Sequence, residues 1–145
     1  MKQQDIDRLR SAAEAAVEQS HSPYSKFPVG AAVLAQSGVI YRGCNVENAS
    51  FSLTQCAERT ALTAAVASGE KPGSMKLLLI LTAGEQVHAP CGACRRVMVE
   101  LMDPDSLVIS SGTSGASKRW ALSELQPQPF TAQSLAGSGI DPGDD

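Results

Sequence analysis

Three of the four cysteines stand where chemistry is possible. Cys56 opens "CAERTAL", ahead of an alanine-rich run, and Cys91 and Cys94 form the Cys-x-x-Cys of "PCGAC". Each stretch reads as the start of a helix. Unpaired N–H groups and partial positive charge there lower a thiol's pKa, and the thiolate is the form that binds metal. Pro90 suits a helix start because the N–H it lacks would have no partner there. Gly92 and Ala93 are small enough to let two sulfurs turn toward one ion. Cys-x-x-Cys alone is also a redox motif. A third cysteine at a separate helix start favours metal, and three thiolates favour tetrahedral Zn²⁺. Structural zinc sites take four protein ligands, whereas catalytic ones take three and keep a water. His88, in the spacing His-x-x-Cys-x-x-Cys, and Cys44, at the end of an expected strand, are the residues that would close the site. Their bland alternatives are a solvated loop histidine and a small buried hydrophobe.

Glu58 follows Cys56 by two. On a regular helix the two side chains would diverge by roughly 200°, so they would not be equal ligands of one metal. A general acid/base beside a metal-activated water fits that offset. The plainer role is a first-turn carboxylate facing the helix dipole. A capping box is excluded because position 55 is Gln, and Thr54 is the expected N-cap. Arg59, three residues after Cys56, shares its helix face. There it would offset the negative charge of three thiolates on zinc and donate to sulfur.

The elements that must position these groups follow from periodicity. Residues 5–19 place Ile6, Leu9, Ala13, Ala16 and Val17 at helical spacing. "VGAAVLA" and "VIYRG" read as a hairpin joined at "QSG". A polar connection leads to a helix over about 55–68 that stops at Gly69. "KLLLIL" is a buried strand, "TAGEQVHAP" a loop, and "CGACRRVMVELM" a helix ended by "DPD". "SLVIS" and "KRWAL" are strands, and "SELQPQPF" holds one helical turn. A crossover from "KLLLIL" to "SLVIS" makes those strands parallel beside an antiparallel hairpin. The expected fold is therefore α/β, with a mixed sheet covered by helices.

The 145 residues suit one domain, expected over 1–135, with a disordered Gly-, Pro- and Asp-rich tail over 136–145. Net charge is −3 and no stretch collects lysine or arginine, which argues against nucleic acid as a partner. The longest apolar run, "LLLIL", is too short to span a membrane. The polar N-terminus lacks a signal-peptide core. The expectation is a cytoplasmic protein whose thiols stay reduced. His21 is expected at the surface.

"SPYSKFPVGAAVL", "GCNVENAS", "CAERTAL" and "PCGACRRVMVEL" together resemble the small, homotetrameric type of cytidine deaminase, over nearly the whole chain to about Phe130. The resemblance implies a three-layer α/β/α fold with a roughly five-stranded sheet. It implies one Zn²⁺ per subunit on Cys56, Cys91 and Cys94, and hydrolytic deamination at C4 of cytosine with Glu58 moving protons. It also implies that Asn45 and Glu47 hold the ribose 3′-hydroxyl, Phe27 stacks near the pyrimidine, and the backbone of Ala57 bonds the base. Phe130 would reach a neighbouring subunit's site. Cytidine and 2′-deoxycytidine are the expected substrates, and the role is pyrimidine salvage. The chain departs from the family pattern at Arg96, where Gln is usual, and at Phe51, where Tyr is frequent. Three alternatives stand beside this reading. One is a deaminase of another small aminated substrate, resembling blasticidin S deaminase. Another is a catalytically silent, zinc-stabilised module. The third is an RNA- or DNA-editing domain, against which the acidic balance argues.

Overall fold

The computed structural model describes residues 2–137. Helix α1 (Gln3–Val17) turns Ile6, Leu9, Ala13 and Ala16 inward. Strands β1 (Val29–Leu34) and β2 (Ile40–Cys44) form the hairpin, and α2 (Ala57–Ala67) follows after a single 3₁₀ turn at Phe51–Leu53. Then come β3 (Met75–Thr82), α3 (Gly92–Leu101), β4 (Met102–Gly112), β5 (Ser117–Ala121), α4 (Leu122–Leu125) and α5 (Ala132–Gly137). Among the described residues the strands make one five-stranded sheet in the order β2-β1-β3-β4-β5. Only β3 and β4 are parallel; the other neighbours are antiparallel. This is the mixed sheet expected from the crossover.

Alternation along the strands divides the core in two. Leu77, Leu79, Leu81 and Ile109 face α1 and pack with Ile6, Leu9 and Ala13. Leu78, Ile80 and Val108 face the other way and pack with Ala61, Leu62 and Ala65 of α2, Met98 of α3 and Leu122 of α4. The central strand reads as an unbroken apolar run because both its faces are covered. Three layers, α/β/α, follow directly.

The approach of α2 to the sheet depends on Gly43. A Cβ there would lie 2.6 Å from Ala57 O and closer still to Ala61 N. The first turn of α2 thus rests on the backbone of β2.

Four local expectations are corrected. Helix α2 begins at Ala57, with Cys56 as its N-cap in extended conformation (φ −71°, ψ 154°). Thr54 is not the cap: its hydroxyl accepts from Asn48 N at 3.2 Å. Gln55 pairs with Val46 in a short bridge that keeps the chain extended up to Cys56. Helix α3 stops at Leu101, just before "DPD", but that segment is no mere terminator: it lies within β4, where the register jumps from Met75↔Met102 to Leu77↔Leu107. The extra residues make a bulge there, closed by Asp105 N donating to Asp103 Oδ1. Finally, residues 136 and 137 end a short helix, whereas the tail was expected to be disordered from 136; its remaining residues lie outside the described ones.

Candidate metal centre and active site

The cysteines meet because two helices start at one edge of the sheet. Cys56 is the N-cap of α2 and Cys91 the N-cap of α3. Cys94 lies in the first turn of α3 and is fully buried. The three sulfurs lie within 4.8 Å of one another, and Cys56 Sγ is 3.9 Å from Cys91 Sγ. Sulfurs about 2.3 Å from a tetrahedral zinc stand about 3.8 Å apart. The donor set and spacing therefore fit zinc. His88 and Cys44 fall outside this cluster.

Cys56 and Glu58 do not diverge as two residues of one helix would, because Cys56 precedes the helix as its N-cap. The extended backbone of Cys56 turns its sulfur toward the same cavity as Glu58. Glu58 Oε2 lies 3.7 Å from Cys94 Sγ, and the residue is 7% exposed. Arg59 Nη2 donates to Cys56 Sγ at 3.3 Å.

This surrounding shifts the titrating groups. The Cys56 thiol is lowered to about 5, chiefly by a hydrogen bond from Cys94, with Arg59 adding a second bond and its charge. The Cys94 thiol is pushed up, because it donates to that thiolate and is buried. Burial raises Glu58 above the usual carboxylate value, and the Cys56 thiolate reinforces it. A carboxyl in that setting holds a proton more readily than one in water.

A cavity of about 280 Å³ opens onto the cluster. Phe27, Asn45, Glu47, Cys56, Ala57, Glu58 and Cys91 line it. Asn45 is buried: Oδ1 accepts from Val29 N at 2.9 Å and from the Ser20 hydroxyl, and Nδ2 donates to Phe27 O at 2.8 Å. One amide N–H remains for a ligand. Glu47 Oε1 accepts from Tyr24 N and Ser25 N, both at 3.0 Å, and Oε2 takes the Ser25 hydroxyl. A carboxylate has roughly four acceptor positions, so about one stays free. These bonds hold its pKa below the ordinary value, the Ser25 hydroxyl being the largest cause. His21 is exposed, and its backbone clamps this strip through Asn45 O and Glu47 N. Phe130, 59% exposed, lies outside the cavity lining.

Sequence reasoning missed several contributors. His88 also lines the cavity, its ring 5.4 Å from that of Phe27 in a T-shaped pair. Arg95 braces the cysteine turn, donating from Nε to Pro90 O at 2.8 Å and from Nη1 to Leu125 O at 3.1 Å. Thr82 and Ile80 form part of the wall. A polar residue ending the apolar run "KLLLILT" was the available signal for Thr82. A larger cavity of about 400 Å³, beside Val99, Pro104 and Leu122, has no titratable group among its described lining residues.

Residues 3–110 match the family model described as the cytidine and deoxycytidylate deaminase zinc-binding region. The chain is 41% identical over 132 residues to a cytidine deaminase of Sporosarcina psychrophila, covering 91% of this chain and 96% of that one. It is 40% identical over 131 residues to one from Halalkalibacterium halodurans, covering 90% and 98%. The crystal structure of cytidine deaminase from Burkholderia pseudomallei superposes with a TM-score of 0.83 at 42% identity, over 90% of this chain and 100% of that one. The Mycobacterium tuberculosis cytidine deaminase structure gives 0.75 at 34% identity, over 88% and 98%.

Proposed function

The chain belongs to the cytidine and deoxycytidylate deaminase family, and from that premise we propose how its own residues work. The reaction is the zinc-dependent hydrolysis of cytidine or 2′-deoxycytidine. Water replaces the 4-amino group, and uridine or 2′-deoxyuridine and ammonia are released, a step of pyrimidine salvage.

The observation that carries the site assignment is the buried Glu58 carboxyl 3.7 Å from a sulfur of the three-cysteine cluster, in the wall of a cavity. Cys56, Cys91 and Cys94 would hold the metal. Zinc, when bound, would supply a water acidic enough to lose a proton near neutral pH. In that hydrolysis Glu58 would accept a proton from the attacking water and deliver it to ring nitrogen N3, then accept the proton of the hydroxyl formed on C4 and deliver it to the departing amine, so that the carboxylate is regenerated. Its raised pKa suits a group that must hold a proton between steps. Arg59 keeps Cys56 anionic and oriented. The Ala57 backbone bonds the base, and Phe27 offers it an aromatic face. The unspent N–H of Asn45 and the free acceptor position of Glu47 suit a sugar hydroxyl.

The substrate is a free nucleoside, and residues 1–135 act as one domain. A cytoplasmic setting accords with reduced thiols, and among the described residues no helix is long and apolar enough to cross a membrane. We propose a homotetramer whose sites lie near subunit contacts. Phe51, Leu53, Tyr24 and Phe130 are 74%, 67%, 51% and 59% exposed, a costly amount of apolar surface to leave in water. The test is turnover of cytidine, deoxycytidine, free cytosine, blasticidin S and a single-stranded oligonucleotide, with zinc quantified in the same samples. Absence of turnover on both nucleosides would overturn the reading. Sedimentation of a fully active monomer would overturn the shared-site assembly.

A further inference from the structure

We infer that Thr82 is a substrate-binding residue: its hydroxyl is a hydrogen-bonding group that the cavity wall offers to the bound base. The inference rests on the cytidine reaction proposed above.

Thr82 is the last residue of β3 and is 2% exposed. Its Oγ1 is buried and has no hydrogen-bond partner. A buried hydroxyl without a partner is destabilising, so its retention calls for a ligand or a water to satisfy it. Register shows where it points. Thr82 lies opposite Val29 on β1 and Gly112 on β4, two residues beyond Ile80 and hence on the α2/α3 face. Thr82, Ile80 and Glu58 all line the same cavity. Glu58 and Thr82 are buried, whereas Phe27 is 41% exposed. The deep end therefore receives the base on which Glu58 acts. A hydroxyl both donates and accepts, which matches a cytosine edge carrying ring acceptors and an amino donor.

Ser110 is the natural control. It pairs with Ile80 across β3 and β4, is fully buried, and also has an unpartnered hydroxyl, but it is not part of the cavity lining. Thr82→Val, Thr82→Ser and Ser110→Ala are to be compared as zinc-loaded enzymes on cytidine and deoxycytidine. Thr82→Ala stands in if the valine variant fails to fold. The expected result is that Thr82→Val raises KM roughly tenfold, equally for both sugars, while kcat stays within about twofold, the pattern of a lost ground-state contact. Thr82→Ser and Ser110→Ala keep the parent KM. An unchanged KM in Thr82→Val overturns the inference. So does an equal change in Thr82→Val and Ser110→Ala, which would mean that the two hydroxyls only hold a structural water. Failure of the parent enzyme on both nucleosides would instead refute the underlying reaction.

Discussion

Substituting Gly43 tests whether the metal centre depends on how closely α2 approaches the sheet. An added Cβ would lie 2.6 Å from Ala57 O, whereas ordinary contact begins near 3.4 Å. Relief in Gly43→Ala requires the first turns of α2 to retreat by at least about 0.8 Å, since Ala61 N lies closer still. The first of these turns carries Glu58, and Cys56 caps it. Zinc–ligand distances tolerate about 0.2 Å, and a misplacement near 1 Å costs about 10²-fold in rate. The expected outcome is about 1–3 kcal/mol of lost stability from overpacking, zinc affinity down at least tenfold, and kcat/KM down about 10²-fold. Gly30→Ala is the matched control. Its Cβ would strike Ala13 O and lie 2.5 Å from Val17 Cγ2 of α1, on the opposite face of the sheet. It should lose comparable stability but little zinc affinity or activity. Thermal unfolding, zinc competition against a chromophoric chelator, and steady-state kinetics measure the three quantities. If both variants lose activity in the same proportion to stability, the coupling of Gly43 to the metal centre is wrong.

Glu58→Gln should keep zinc and fold while kcat falls by about 10²–10⁴; activity within tenfold of the parent would remove Glu58 from the proton path. Arg59→Ala takes a hydrogen bond and a positive charge from the Cys56 sulfur, so zinc affinity should fall about 10–100-fold, read by chelator competition. Glu47 has a folded-state pKa below its ordinary value of 4.5. Its hydrogen bonds to residues 24 and 25 therefore contribute stability that is present above pH 4.5 and lost as pH falls through the folded value. Glu47→Gln should flatten the stability–pH curve on that acid side; an unchanged curve would show that these hydrogen bonds contribute no stability. Stripping zinc should lower the unfolding temperature and make it depend on added zinc, since a ligand that binds only the folded state stabilises it by mass action.

Much of the fold was legible because its signals are local. Helical spacing in Ile6, Leu9 and Ala13 and the apolar run of β3 each reflect a face that had to be covered. Errors arose where a side chain had a tertiary partner. Thr54 looked like a cap, but Asn48 engages its hydroxyl. "DPD" looked like a stop, but Met75 pairs with Met102 and draws the segment into the sheet as a bulge.

The sequence by itself determined the chemistry: three thiol ligands, a carboxyl beside one of them and an arginine three residues on, because residue type and short spacing decide donor atoms and charge. Only the tertiary structure decided their use. Thirty-five residues separate Cys56 from Cys91, and their sulfurs stand 3.9 Å apart because a close glycine contact seats α2 and the β3–α3 connection brings the second helix start to the same edge. Burial, which raises Glu58 and leaves the Thr82 hydroxyl unpartnered, belongs to no residue alone. It depends on what the rest of the chain packs around each one.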